Sequence, residues 1–70
     1  MKMEADERKK QIRQAAMKVF LDKGFRNTVM NDIMEATGLS RGGLYHHYGS
    51  TYEILYDIMV EGNKYREKII

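Results

Sequence analysis

The sequence predicts an all-α fold of three helices and the start of a longer fourth helix. Apolar residues recur at the helical spacing of about 3.6 residues along most of the 70 positions, and glycines interrupt that spacing where turns are needed. The chain contains no cysteine, so neither a disulfide nor a thiolate metal site can stabilise it. A chain of this length is therefore expected to form one domain that depends on efficient helix packing or on a partner.

The first helix is predicted from Asp6 to Lys23. Its apolar residues recur at i, i+3, i+4, i+7 and i+8 and so form one stripe. Gly24 follows the last periodic residue and is expected to take the left-handed conformation that ends many helices, while Phe25 folds back on the stripe. The stripe consists of Ile12, Ala15, Ala16, Val19 and Phe20.

A short second helix is predicted to follow Thr28. The Thr28 hydroxyl is expected to cap this helix by accepting a hydrogen bond from a backbone N–H of its first turn, and Asp32 complements the helix dipole. Thr37 and Gly38 end the pattern. The residues expected to face inward are Val29, Ile33 and Ala36, with Met30 and Met34 beside them.

A compact connection leads into a third helix, predicted from Arg41 to Tyr48. Gly38 is expected to adopt a positive φ, Leu39 to point inward as an apolar plug and Ser40 to cap the next helix. A helix, a tight turn that contains glycine and a second helix together form the helix-turn-helix arrangement.

The third helix carries two glycines in its first turn, although each disfavours a helix interior by up to ~1 kcal/mol. Leu44 and Tyr48 lie four residues apart and are expected to form the inner face. The other positions fall largely outside, where missing side chains allow the backbone to lie close to another surface such as a groove. These outer positions are Arg41, Gly42, Gly43, Tyr45 and His47.

Ser50-Thr51-Tyr52-Glu53 has the S-x-x-E spacing of a capping box and is expected to begin the fourth helix. This helix runs to or near Ile70, and Gly62-Asn63 is its weakest point and a possible break. The apolar residues at helical spacing are Ile54, Leu55, Ile58 and Met59, followed by Tyr65 and Ile69.

Charge is distributed unevenly along the chain. The formal net charge is +2, but residues 1–26 carry eight basic and four acidic side chains, a net of +4. Such a segment is either a surface for phosphates or anionic lipid, or the solvated face of a helix. Charge alone does not decide between these interpretations.

Several classes of function are not supported by the sequence. No nucleophile elbow, zinc-protease motif, P-loop or dinucleotide fingerprint is present, so we expect no enzyme and no cofactor. His46 and His47 are adjacent and point about 100° apart on a helix, which is poor geometry for one metal ion. No signal peptide or membrane span is apparent, and we expect a cytoplasmic protein without a membrane partner.

Binding to nucleic acid is better supported, because Arg41 lies at the helix end that approaches base edges in a major groove. A guanidinium can pair with guanine O6 and N7, and the hydroxyls of Tyr45, Thr28 and Ser40 can donate to phosphates. In the structural alternative, Tyr45 is half-buried and packs against the protein, and Arg41 is an ordinary surface cation. Periodicity alone leaves both interpretations open.

Three ordered segments of the chain resemble the N-terminal DNA-binding domain of TetR-family (TetR/AcrR) transcriptional regulators, over about residues 8–55. The third segment, Gly-Leu-Ser-Arg-Gly-Gly-Leu-Tyr-His-His-Tyr within Ala36–Tyr48, is the most specific. The other two are the pattern from Ile12 to Phe25 and the run from Asn27 to Ile33.

The resemblance implies a homeodomain-like helix-turn-helix domain at residues 1–50. Residues 51–70 then resemble the start of a helix that links to a C-terminal effector and dimerisation domain. It also implies a homodimeric repressor of transcription that binds a double-stranded DNA operator and responds to a small-molecule effector through the C-terminal domain. The DNA-binding positions considered are Thr28, Asn31, Ser40, Arg41, Gly42, Gly43, Tyr45, His46, His47 and Thr51.

The chain departs from the family pattern at Val29, Thr51 and Met34, where threonine, lysine and alanine are usual. The lysine that Thr51 replaces often contacts the DNA backbone in the family. One alternative function remains, a helical protein-interaction module that uses the apolar face of the fourth helix. A basic amphipathic helix lying on a membrane is a weaker alternative, because the first-helix stripe is needed for the core.

Overall fold

The computed structural model describes the backbone of residues 2–69 and the side chains of residues 5–61. Over this part of the chain the structure is all-α and contains no strand, which confirms the predicted fold class. The elements are α1 (Lys2–Lys23), a 3₁₀ turn (Phe25–Asn27), α2 (Met30–Thr37), α3 (Arg41–His47) and α4 (Thr51–Ile69).

Every α-helix contributes at least one residue to a single hydrophobic core. Within it, α1 packs against both α2 and α4, and the predicted α1 stripe faces inward. Ile54 is fully buried, so the start of α4 belongs to the same core as the helix-turn-helix unit. The buried core residues are Ile12, Ala16, Phe20, Ile33, Leu44, Tyr48 and Ile54.

The α1 helix ends before Gly24, and Phe25 folds back on it, largely as the sequence predicts. The Gly24 N–H donates to the Phe20 carbonyl over 2.8 Å, and the Phe25 ring packs edge-on against Phe20 with centroids 5.0 Å apart. Gly24 has the expected positive φ of 88°, but its ψ of 141° is extended rather than left-handed helical. The helix begins at Lys2, four residues before the predicted start.

The predicted capping of α2 by Thr28 is wrong. The Thr28 hydroxyl donates to the Gly24 carbonyl over 2.8 Å, and the residue is only 5% exposed. Its position is set by the 3₁₀ turn before it, which sequence periodicity did not reveal. The N-terminal end of α2 is instead capped by Asp32, whose carboxylate accepts a hydrogen bond from the Val29 N–H over 2.9 Å.

Val29 precedes the first residue of α2, and Ala36 lies outside the inward-facing stripe of this helix. Val29 is 57% exposed and Ala36 is exposed, so both are wrongly predicted to point inward. Ile33 is fully buried, as predicted. The inward-facing stripe of α2 follows helical spacing and consists of Met30, Ile33, Met34 and Thr37.

The connection between α2 and α3 confirms the prediction in detail. Gly38 has a φ of 78° and a ψ of 6°, which is the left-handed conformation. Leu39 is half-buried against the core, and the Ser40 hydroxyl accepts a hydrogen bond from the Gly43 N–H over 3.0 Å. The α3 helix ends at His47, one residue earlier than predicted.

The N-terminal end of α4 differs slightly from the expected capping box. The Ser50 hydroxyl accepts from the Glu53 N–H over 3.3 Å, but the Glu53 carboxylate accepts from the Gly49 N–H over 2.9 Å instead of from Ser50. The helix continues through Gly62-Asn63 without the possible break. The side chains of Tyr65 and Ile69 lie outside the described residues.

Candidate nucleic-acid interface

One face of α3 points to solvent while the other fixes the helix to the core. Leu44 is fully buried and Tyr48 is 3% exposed, whereas Arg41, Gly42 and Tyr45 are exposed. The Arg41 guanidinium lies over the Tyr45 ring, 5.7 Å from its centroid. This cation–π contact orders the two largest outward-facing side chains of the helix relative to each other.

The two glycines of α3 differ in their surroundings. A Cβ atom added at Gly43 would lie 3.2 Å from the Ser40 hydroxyl oxygen, so this glycine makes room for the cap of its own helix. A Cβ at Gly42 would meet no atom within 4 Å, and its φ is not positive. Nothing inside the described protein therefore requires glycine at position 42.

His46 and His47 lie at the C-terminal end of α3, with their rings edge to face and the centroids 5.0 Å apart. His46 is exposed and His47 is half-buried. Burial lowers the pKa of His47, and the charges of His46, Lys9 and Arg8 lower it further. Within the described residues, no group of three or more His, Cys, Asp or Glu side chains could hold a metal ion.

The remaining sequence-predicted positions lie at the starts of helices, in different environments. Thr28 is buried, and its hydroxyl donates a hydrogen bond to the Gly24 carbonyl inside the protein. Asn31 is exposed and its amide donates to Glu35 over 3.4 Å. Ser40 is exposed, while Thr51 is half-buried at the first residue of α4.

A polar cluster that the sequence does not predict joins α1, the end of α3 and α4. The Arg13 guanidinium of α1 lies 3.2 Å from the Asp57 carboxylate of α4, and the Tyr48 hydroxyl at the end of α3 donates to the same carboxylate oxygen. Burial and the Asp57 bond raise the pKa of Tyr48 to about 12. Burial alone would raise the pKa of Asp57, but the hydrogen bonds from Tyr48 and Arg13 outweigh it and lower that pKa.

No local signal in the sequence indicates this cluster. The sequence predicts Tyr48 only as an inner-face residue, and Asp57, nine positions later, lies on a different helix. A phenol on a buried face does require a hydrogen-bond partner, which is the one general clue.

The sequence of the chain also matches a known protein family. The family model described as bacterial regulatory proteins, tetR family, matches residues 12–58. The chain belongs to this family. TetR-family proteins are DNA-binding transcriptional regulators and not enzymes, so the predicted family and the absence of catalytic function are both confirmed.

Individual TetR-family relatives support the same assignment. The chain is 44% identical over 57 residues to the uncharacterized HTH-type transcriptional regulator YfiR of Bacillus subtilis, covering 81% of this chain and 28% of YfiR. It is 39% identical over 49 residues to the transcriptional activator FasR of Mycolicibacterium smegmatis, covering 70% and 22%. It is 31% identical over 52 residues to the transcriptional repressor KstR2 of the same species, covering 74% and 25%.

The chain thus spans about a quarter of the length of these curated relatives. The family and the relatives identify the chain as a DNA-binding domain of a transcriptional regulator. No helix within the described part of the chain is both long and apolar enough to cross a membrane.

Proposed function

We propose that this TetR-family chain is the sequence-specific DNA-binding part of a transcriptional repressor, and that α3 enters the major groove of its operator. The observation that carries this proposal is the outward face of α3, where Arg41, Gly42 and Tyr45 are exposed while Leu44 and Tyr48 hold the helix to the core. A major groove is about 12 Å wide and admits one α-helix.

The exposed side chains suit distinct roles in such a complex. Arg41 can donate two hydrogen bonds to guanine O6 and N7, and Tyr45 can donate its hydroxyl to a phosphate. Gly42 allows the helix backbone to approach the base edges. The positions proposed to contact phosphates or groove edges are Asn31, Ser40, Gly43, His46, His47 and Thr51. Thr28 stays among the proposed positions with less support, because its hydroxyl already donates to the Gly24 carbonyl.

Repression, homodimer formation and effector binding are further parts of this proposal, and they come from the resemblance to TetR-family regulators. KstR2 is named a repressor and FasR an activator, so the relatives include both modes, and we propose repression for this chain. We further propose a homodimer that places two copies of α3 in successive major grooves, about 34–36 Å apart. A small molecule would act through the C-terminal domain, and the protein would work in the cytoplasm.

Selection of random duplexes by the purified protein, followed by substitution of Arg41, tests the proposal. Arg41→Ala should cost about 1–3 kcal/mol on the selected duplex and relax base preference at one position. Lys10→Ala is the matched control, because it removes an exposed positive charge from α1 and should affect all sequences alike or not at all. Equal losses for Arg41→Ala on selected and random duplexes would contradict base reading by α3.

The second candidate is a protein-interaction module, favoured by large apolar side chains left exposed on α4, namely Tyr52, Tyr56 and Met59. A titration against duplex DNA at two salt concentrations separates the candidates. An interaction module without a DNA function would show no duplex affinity even at low salt, whereas the proposed regulator binds and weakens as salt increases.

A further inference from the structure

The fold brings the N-terminal part of α1 to the C-terminal end of α3. The Lys9 ammonium lies 5.1 Å from the centroid of the Tyr48 ring, and Tyr48 is the residue that ends α3. The charges of Arg8 and Lys9 also act on His47, the last residue of α3, where they help to hold its pKa below the ordinary value. Lys9 of α1 therefore lies beside the end of α3 that carries the two histidines, and the charge of the neighbouring Arg8 acts on the same end.

Among the described side chains, no acid forms an ion pair with Arg8 or Lys9, although the charge of Lys9 helps the Tyr48 and Arg13 hydrogen bonds to lower the pKa of Asp57. Among the described side chains, the ion pairs join Arg13 to Asp57 and Lys23 to Asp32. Arg8 is exposed and donates to the Gln11 amide oxygen over 3.4 Å, within the same helix. Within the described residues, Arg8 contacts a neutral amide and Lys9 contacts a neutral ring, so neither positive charge is held in an ion pair there.

The length of α3 indicates which anion lies nearby in a DNA complex. A helix of seven residues is only about 10 Å long, so when its N-terminal end approaches base edges its C-terminal end lies near the rim of the groove. Phosphates form that rim, and cationic side chains bind them without regard to sequence.

We propose that Arg8 and Lys9 form, together with His46 and His47, a surface that binds the phosphate backbone of duplex DNA beside the bases contacted by α3. The proposal rests on the proposed function, since it assumes that α3 faces the duplex. The basic N-terminal segment had two interpretations, a surface for phosphates or anionic lipid and a solvated helix face. For Arg8 and Lys9 we propose the first, with phosphate as the ligand.

The salt dependence of DNA binding tests this surface. The dissociation constant of the chain is measured against KCl concentration on a selected duplex and on a random duplex, for Arg8→Gln, Lys9→Gln and Lys18→Gln. Each of the first two variants should reduce the slope of log K against log salt by about 0.9 on both duplexes, which is one phosphate contact. Lys18→Gln is the matched control, because Lys18 lies about two and a half turns from Lys9, on the opposite face of α1.

Unchanged slopes in both Arg8→Gln and Lys9→Gln, or an equal reduction in Lys18→Gln, would overturn the proposal. Because Lys9 also contacts the Tyr48 ring, thermal unfolding is recorded for every variant. If Lys9→Gln is destabilised, the salt slope of the variant at the exposed Arg8 tests the proposal. If the wild-type chain bound selected and random duplexes equally, sequence reading by α3 would be refuted instead. The salt slopes of Arg8→Gln and Lys9→Gln would still test whether these residues contact phosphate.

Discussion

Gly42 lies in the first turn of α3, where the free protein gains nothing from a missing side chain. No atom lies within 4 Å of an added Cβ, and alanine is a better helix former than glycine. Gly42→Ala should therefore raise the free energy of unfolding by about 0.5 kcal/mol while it weakens binding to the selected duplex. Urea unfolding and DNA titration of the same preparation measure the two effects.

Gly43→Ala is the comparison variant for this prediction. Its Cβ would lie 3.2 Å from the Ser40 hydroxyl oxygen, so it should disturb the cap of α3 and gain less stability than Gly42→Ala. If Gly42→Ala bound the selected duplex as tightly as the wild type, no close approach of DNA to this position would be needed.

His47 should make stability and DNA affinity respond to pH in opposite directions. Its pKa is lower in the folded protein than in the unfolded chain, where it is about 6.5, so the unfolded chain takes up the proton first on acidification. The free energy of unfolding should fall as pH decreases through this range. DNA affinity should rise, because a protonated His47 is attracted to phosphate.

The groups that face His47 are His46 on its own helix and Arg8 and Lys9 on α1. Urea unfolding and DNA titration at about pH 7.5 and about pH 5.5 test the prediction, with His47→Gln as the comparison. The variant should lose part of both pH responses, and a variant with the wild-type responses would show that His47 is not their source.

The caps determine where α2 and α3 begin, and Ser40 offers the clearest test. Ser40→Ala removes the acceptor for the Gly43 N–H and should lower the free energy of unfolding by about 1 kcal/mol, as measured in urea. Ser40→Asp keeps a side-chain acceptor at the same position, so it should preserve stability but weaken DNA binding by repelling phosphates. Similar stability losses in the two variants would mean that the cap contributes little.

Asp57 connects the three helices that must keep α3 in place. Asp57→Ala leaves the buried Tyr48 hydroxyl and the Arg13 guanidinium without this acceptor, and should lower the free energy of unfolding by about 1–3 kcal/mol. Tyr48→Phe removes only the hydroxyl and should cost less, since Asp57 keeps Arg13. A double-mutant cycle between positions 48 and 57 should give a coupling of at least about 0.5 kcal/mol, and additive losses would contradict it.

The cluster should also resist alkali and weaken in acid. With its pKa raised to about 12, the Tyr48 hydroxyl remains a donor through neutral and moderately alkaline solution. The pKa of Asp57 is lowered by folding, so the stability it contributes is present above the ordinary carboxyl pKa and is lost as pH falls through the folded-state value.

Several features follow from the sequence alone, namely the number and order of the helices, the α1 stripe, the turn at Gly38, the Ser40 cap and the family. These features depend on residues within one helical turn of each other, so periodicity and short motifs reveal them. The outward-facing residues of α3 follow from the same spacing once Leu44 is known to be buried.

Four features follow only from the three-dimensional structure, namely the environment of Thr28, the exposure of Val29, the Arg13–Asp57–Tyr48 cluster and the effect of the Arg8 and Lys9 charges on His47. The first two depend on a 3₁₀ turn of three residues, which is too short to leave a periodic pattern. The others join residues far apart in the chain, and their distances are set by how the helices pack rather than by any spacing in the sequence.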